Sequence, residues 1–219
     1  LGYQPAALVV HGGLRDSESV ELVARHGVPF VELGSLTGKG QHIAIGYSNR
    51  AAGKAATEHL LERGFTRIGF VSSPKAGNQR AADRWAGYRA ALKAAGIAPR
   101  PDLELETTLG YAKGAEAVDE LLRRERKLQA IFFTGDGWAL GALFHCQRLG
   151  IAVPKQLAIM GFDDQELTAL TVPPLSSVHV PRYEMGFEAG TLLRRTLNGE
   201  AVERHRVDLS FRVVPRGTT

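Results

Sequence analysis

The 219-residue sequence predicts an α/β fold built on parallel sheets. Short apolar, β-rich runs alternate several times with amphipathic stretches that end near glycine, the pattern of repeated βα units. Most of those runs are continuously hydrophobic rather than alternating, as strands covered on both faces require. With 44% hydrophobic and 23% charged residues the chain can bury a substantial core, which excludes disordered and fibrous classes.

Taken in order, the predicted strands lie at residues 6–10, 29–33, 67–72, 103–107, 129–134 and 157–162. The predicted helices lie at 17–26, 49–63, 79–95, 112–124, 137–149 and 183–197. Five of them are closed by a glycine suited to the left-handed position after a helix: Gly27, Gly64, Gly96, Gly150 and Gly199. Ser48 is placed to cap the second by accepting a backbone N–H bond. After Phe162 the texture changes. Pro173-Pro174 exclude a central strand or a helix interior and read as a crossover segment. A last helix and alternating residues from Arg204 to Val214 follow.

Several functions are excluded by what their chemistry demands. The segment from Gly34 to Gly40 has the wrong spacing for a phosphate-cradling P-loop and lacks its hydroxyl after Lys39. No GxGxxG follows a predicted strand, and no GxSxG elbow occurs. Cys146 has no cysteine partner and sits among Leu143, Phe144 and Leu149, which reads as core. Its solitary state points to a reducing cytoplasm. No apolar stretch reaches the length of a membrane span. The seven histidines are dispersed, so the chain calls for no metal and no cofactor. The formal charge of +4 is not a nucleic-acid signal: its densest run, Arg123, Arg124, Arg126 and Lys127, falls near a helix end, where the macrodipole favours cations.

What remains is polar side chains at strand ends, where open α/β sheets bind ligands. Asp136 follows the fifth strand and reads either as a helix cap or as a ligand contact. Asp163 and Asp164 follow the sixth, as turn residues or as acceptors for sugar hydroxyls. Arg84 offers bidentate recognition of a carboxylate or of vicinal hydroxyls, with Trp85 or Tyr88 available for stacking.

Four motifs in series resemble the effector-binding core of the lactose-repressor (LacI/GalR) family of bacterial transcription regulators. They are Asn49-Arg50-Ala51-Ala52-Gly53 leading to His59 through Ile68; Arg84-Trp85-Ala86-Gly87-Tyr88; Thr134 through Ala142; and Val153-Pro154 through Gly161-Phe162-Asp163-Asp164 to Pro173-Pro174-Leu175-Ser176-Ser177-Val178. Phe144 through Gly150 and Pro181 through Gly186 are similar to gluconate-operon repressors, which makes a sugar acid the first effector to consider.

The resemblance implies two Rossmann-like lobes with the chain crossing three times and an effector between them. Residues 1–45 and 179–208 would form the N-terminal lobe, and 46–178 with 209–219 the C-terminal lobe. The N-terminal lobe is expected to be partial, its opening elements, helix-turn-helix and hinge lying upstream of Leu1. By the same comparison Arg84 and Asp163 contact the effector, Asp136 stands beside a Gly135 that replaces the family's Asn, Tyr111 lies near an aromatic lining position, and Glu32 is a further cleft residue. The implied function is non-enzymatic: a sugar or sugar acid controlling operator binding by a homodimer, without a membrane. A periplasmic sugar-binding protein of a transporter, which shares the architecture, is the alternative; intact upstream sequence separates the two.

Overall fold

The computed structural model describes residues 5–12, 17–36, 42–202 and 205–219. Thr37 to Gly40, the later half of the loop weighed above for phosphate, and Arg204 lie outside them. In chain order the elements are β1 (Leu8–His11), α1 (Ser17–Arg25), β2 (Phe30–Leu33), β3 (Ile43–Gly46), α2 (Asn49–Glu62), β4 (Ile68–Ser72), α3 (Gln79–Ala94) and β5 (Glu104–Glu106). There follow α4 (Tyr111–Arg124), β6 (Ala130–Phe133), α5 (Asp136–Leu149), β7 (Ala158–Met160), α6 (Glu166–Leu170), β8 (Ser177–His179), α7 (Arg182–Leu197), β9 (Arg206–Asp208) and β10 (Arg212–Val214).

All six predicted strands and all six predicted helices are present, and Gly27, Gly64, Gly96, Gly150 and Gly199 all take positive φ, from 62° to 86°. The elements the sequence did not announce are short. β3 is only four residues long and next to a glycine-rich loop, yet every residue in it is buried. Gly46 at its end leaves no room for a β-carbon, which would meet the backbone of Gly34 and Ser35. β8 has three residues and α6 has five, while β9 and β10, three residues each, fall within the stretch read as alternating.

The chain divides into two compact units. Unit 1 comprises residues 1–48 and 181–211 and holds a parallel sheet in the order β1-β2-β3-β9, with α7 packed on β2 and β3. Unit 2 comprises residues 49–180 and 212–219, with a parallel sheet in the order β5-β4-β6-β7 and an antiparallel β8–β10 ladder.

In unit 2 the two-residue alternation of each strand sorts the core into two layers. Ile131, Phe133, Val71 and Ile159 pack with Val118 and Leu121 of α4 and Leu140 and Leu143 of α5. Phe70 and Phe132 turn the other way; Phe70 stacks on Tyr88 of α3, ring centroids 4.9 Å apart, and Phe132 lies edge-on to it at 5.7 Å. The Tyr88 hydroxyl donates to the Ile68 carbonyl at 2.8 Å, so this buried phenol is satisfied. Each helix pair is closed by glycines: a β-carbon at Gly53 of α2 would strike the Arg84 backbone, and one at Gly114 of α4 would strike that of Trp138. No described helix is long and apolar enough to cross a membrane.

Candidate functional site

From β4 the unit 2 chain moves to β5 on one side and then returns to lay β6 and β7 on the other. The order therefore reverses between β4 and β6, and the space beyond their carboxyl ends is where such sheets bind small molecules. Arg84 occupies that edge. Its position on α3 follows from the N-terminus of that helix, where Asn78 accepts from the Ala81 N–H at 3.2 Å and donates to the Ser73 hydroxyl at 2.9 Å.

Arg84 is only 9% exposed. Its Nε donates to Asn49 Oδ1 and its Nη1 to the Thr134 carbonyl, both at 2.8 Å, and the guanidinium carbon lies 3.8 Å from the centre of the Phe162 ring. Charge-assisted bonds and an aromatic face thus fix one orientation for a planar cation. Such a group recognises carboxylates or adjacent hydroxyls in two-point fashion. Thr134 is held in turn by its own hydroxyl, which donates to the Val71 carbonyl at 3.1 Å.

Asp163 follows Phe162 directly, so the chain brings it to the same edge. Its backbone has φ of 111° and that of Asp164 has φ of 54°, conformations that non-glycine residues adopt rarely. The surroundings over-determine this turn. The Asp163 N–H donates to the Val178 carbonyl at 2.9 Å, and the Asp164 N–H donates to Ser177 Oγ at 3.1 Å. The Asp164 carboxylate bonds Arg216 Nη2 at 2.7 Å and His179 Nδ1 at 3.0 Å, and it accepts from the Thr168 hydroxyl at 3.3 Å. Burial pushes the Asp164 pKa up, but the bonds and charges of Arg216 and His179 outweigh it and hold it below the usual carboxylate value.

Asp136 opens α5 but is not its cap. Gly135 takes the capping position of α5, and Asp136 is fully buried behind it. Its Oδ2 accepts from the Gln165 N–H at 2.8 Å and its Oδ1 from the Ser177 hydroxyl at 2.7 Å. It braces from beneath the turn that carries Asp163. Burial pushes its pKa up to about 7, against the opposing effect of those bonds. Gly161 gives it space, since a β-carbon there would collide with the Asp136 carboxylate.

The other candidates are dispersed. Trp85 faces the β5 edge, donating to Glu104 Oε2 at 2.7 Å between Lys75 and Arg89, and so does not stack where Arg84 acts. Tyr111 opens α4 and is more than half exposed. Glu32 belongs to unit 1, buried against His42 Nε2 at 3.1 Å, with the His42 ring stacked on Phe30. The basic run at the end of α4 is an ordinary solvated face: Arg123 and Arg124 both bind Glu120.

Asn49, His179 and Arg216 were missed as site-holding residues. Each depends on a pairing with a partner at least 15 positions away, and no spacing rule reports that.

A family profile described as "periplasmic binding protein-like domain" matches residues 57–219. The HTH-type transcriptional regulator GntR of Pseudomonas aeruginosa is 34% identical across the whole chain, which spans 64% of that relative's length. Among solved structures, the transcription regulator GntR from Chromobacterium violaceum superposes with a TM-score of 0.91 at 35% identity, covering 98% of this chain and 78% of that one. A transcriptional regulator CelR–cellobiose complex superposes at 0.87 with 30% identity, covering 98% of this chain and 66% of that one.

Proposed function

Because the chain belongs to the LacI-type family of transcriptional regulators built on the periplasmic binding protein-like domain, we propose that it is the effector-sensing core of a bacterial transcription regulator. A small sugar or sugar acid binds at the carboxyl edge of the unit 2 sheet and alters operator affinity of a DNA-binding headpiece outside this chain. The observation that carries this reading is Arg84, a buried cation fixed by Asn49, Thr134 and Phe162 at the point where the strand order reverses. Asp163 supplies the complementary acceptor for hydroxyls. The CelR relative binds cellobiose, which supports sugars as a class, and the guanidinium suits a sugar acid such as gluconate.

The action is allosteric and non-catalytic. An effector shifts a two-state protein only by binding its states unequally. We place the protein in the cytoplasm as a homodimer, for which unit 2 offers an exposed apolar surface. Phe144 of α5, Leu167 and Leu170 of α6, and Val172 contribute to it, and Gln147 of α5 bonds the Val172 carbonyl.

The test is a thermal-shift screen against gluconate, related sugar acids, neutral sugars and purines. A ligand at 100 times its Kd stabilises by about 2.7 kcal/mol. A sugar-acid shift that Arg84→Met abolishes supports the reading; a shift with neutral sugars alone keeps the regulator and discards the sugar acid. Silence across the whole panel counts against the effector class.

A further inference from the structure

The chain passes between the units at 48/49, 180/181 and 211/212. Asn49 is the first residue of unit 2 after the first passage, and it holds Arg84 through Nε. His179 lies two residues before the second passage, and Arg216 lies five residues into the last segment. Both grip the carboxylate of Asp164. The first passage is thus attached by a short, charge-assisted bond to Arg84, and the other two to the carboxylate of Asp164, the neighbour of the Asp163 that the proposed function assigns to the effector.

The attachment is specific in geometry. His179 also forms an isolated parallel bridge to Asp163, so its backbone and its side chain bind the same turn. Arg216 spreads its other bonds over the Leu175 carbonyl at 2.8 Å and the Thr168 hydroxyl at 3.1 Å, and its own N–H donates to Ser176 Oγ at 2.8 Å. A positive-φ pair such as Asp163-Asp164 relaxes unless it is held, because the left-handed region is unfavourable for both residues. The two bonds to the Asp164 carboxylate add to those that the Asp163 and Asp164 N–H groups make to the Val178 carbonyl and Ser177 Oγ in holding the turn.

We infer that Asn49, His179 and Arg216 are positioning residues for effector recognition. Asn49 sets the Arg84 guanidinium, and His179 with Arg216 sets the turn that aims Asp163, so that occupancy of the site is felt where the chain leaves and re-enters unit 2. This deepens the proposed function and rests on it.

The experiment uses the whole chain with two probes, D-gluconate and cellobiose, and two pairs of variants. His179→Leu removes the ring nitrogen, whereas His179→Asn returns a nitrogen near the Nδ1 position. Arg216→Gln removes the cation, whereas Arg216→Lys keeps it. Calorimetric titration is expected to show His179→Leu and Arg216→Gln weakening the bound probe by about tenfold, the usual size of a lost charge-assisted bond, with Asn and Lys restoring most of it. Amide exchange without ligand is expected to rise at residues 163–168 in the two disabling variants and to stay unchanged in α4 and α5. Unchanged exchange at 163–168 overturns the inference, as does wild-type affinity in His179→Leu and Arg216→Gln. If the unmutated protein binds neither probe, the effector reading fails and the exchange measurement alone decides the positioning role.

Discussion

Unit 2 and unit 1 contain the same kind of sheet, and each buries one strand from end to end, β6 and β3, but what surrounds those strands differs. In unit 2 β6 is buried from end to end, with Phe132 facing the Phe70–Tyr88 layer and Phe133 the α4–α5 layer. In unit 1 the described residues include Val9 of β1, Leu22 of α1 and Tyr183 and Phe187 of α7, all more than half exposed. The polar residues differ in the same sense. Unit 2 ties Asp136, Asp164, Ser177, His179 and Arg216 into one connected network, whereas Glu32 of unit 1 pairs with His42. The difference teaches that the binding edge of unit 2 is preorganised by packing beneath it, so its perturbations should register as large stability effects before they register as altered recognition.

The sharpest way to break that contrast is a matched pair of phenylalanines. Phe132→Ala empties a site in the middle of unit 2 and is expected to lose about 4 kcal/mol, the range for a buried aromatic truncated to alanine. Phe187→Ala removes an exposed ring of α7 and is expected to stay within about 0.5 kcal/mol. Urea unfolding of both variants measures this, and similar losses would falsify the claim that Phe187 faces solvent.

Next in size is the pH dependence of Asp136. Its folded pKa is raised to about 7 from an ordinary carboxylate value, so the stability it contributes is fully present below the unfolded pKa and is lost as pH rises through about 7. Relative to Asp136→Asn, the wild type should lose roughly 2 to 4 kcal/mol between pH 4 and pH 8. His59 works in the opposite direction. Burial lowers its pKa, with Arg63 assisting, so its contribution is present above the unfolded value and disappears as pH falls. Parallel profiles for the wild type and Asp136→Asn across that range would show that Asp136 is not the titrating group.

Glycines provide a third comparison. Gly114→Ala places a methyl against the Trp138 backbone and should lose about 3 kcal/mol, the upper part of the overpacking range. Gly190→Ala on α7 meets nothing within contact distance and should gain up to about 1 kcal/mol from helix propensity. Thermal unfolding of the two variants should therefore move in opposite directions, and a destabilised Gly190→Ala would show that the α7 face is covered.

The framework of the fold was legible because long helices and buried strands print their own period. Helices α2 to α5 and α7 and strands β4 and β6 needed nothing beyond local sequence. β3, α6 and β8 were illegible because their existence depends on partners elsewhere in the chain, as the Ser177–Val214 pairing shows, while β9 and β10 fall within the stretch read only as alternating residues. The site divided in the same way. Arg84 stood out because it lies on the helix that comes after an apolar run, and Asp163 because it follows one directly. Asp136 stood out for the same reason, yet the structure buries it under the turn, since strand-end position fixes where a residue lies along the sheet and not how deep. Arg216, near the far end of the chain, gave no sign that it would reach back to Asp164.

The smallest expected effect concerns two asparagines at helix ends. Asn78 caps α3 of unit 2 with its side chain and also holds Ser73 beyond β4, whereas Asn198 closes α7 of unit 1 through its backbone N–H and has an exposed side chain. Asn78→Ala should therefore lose about 1 kcal/mol, the usual value of a capping side chain. Asn198→Ala should change stability by less than about 0.3 kcal/mol, because the bonds that close the helix are made by the main chain. A loss at Asn78 well above that of an isolated cap would mean that the Ser73 bond contributes too, so the loop after β4 belongs to the preorganised edge. Equal, negligible effects at both positions would mean that the edge is held by Arg84 and the Asp163-Asp164 turn, and that the loop after β4 is free to adapt when a ligand arrives.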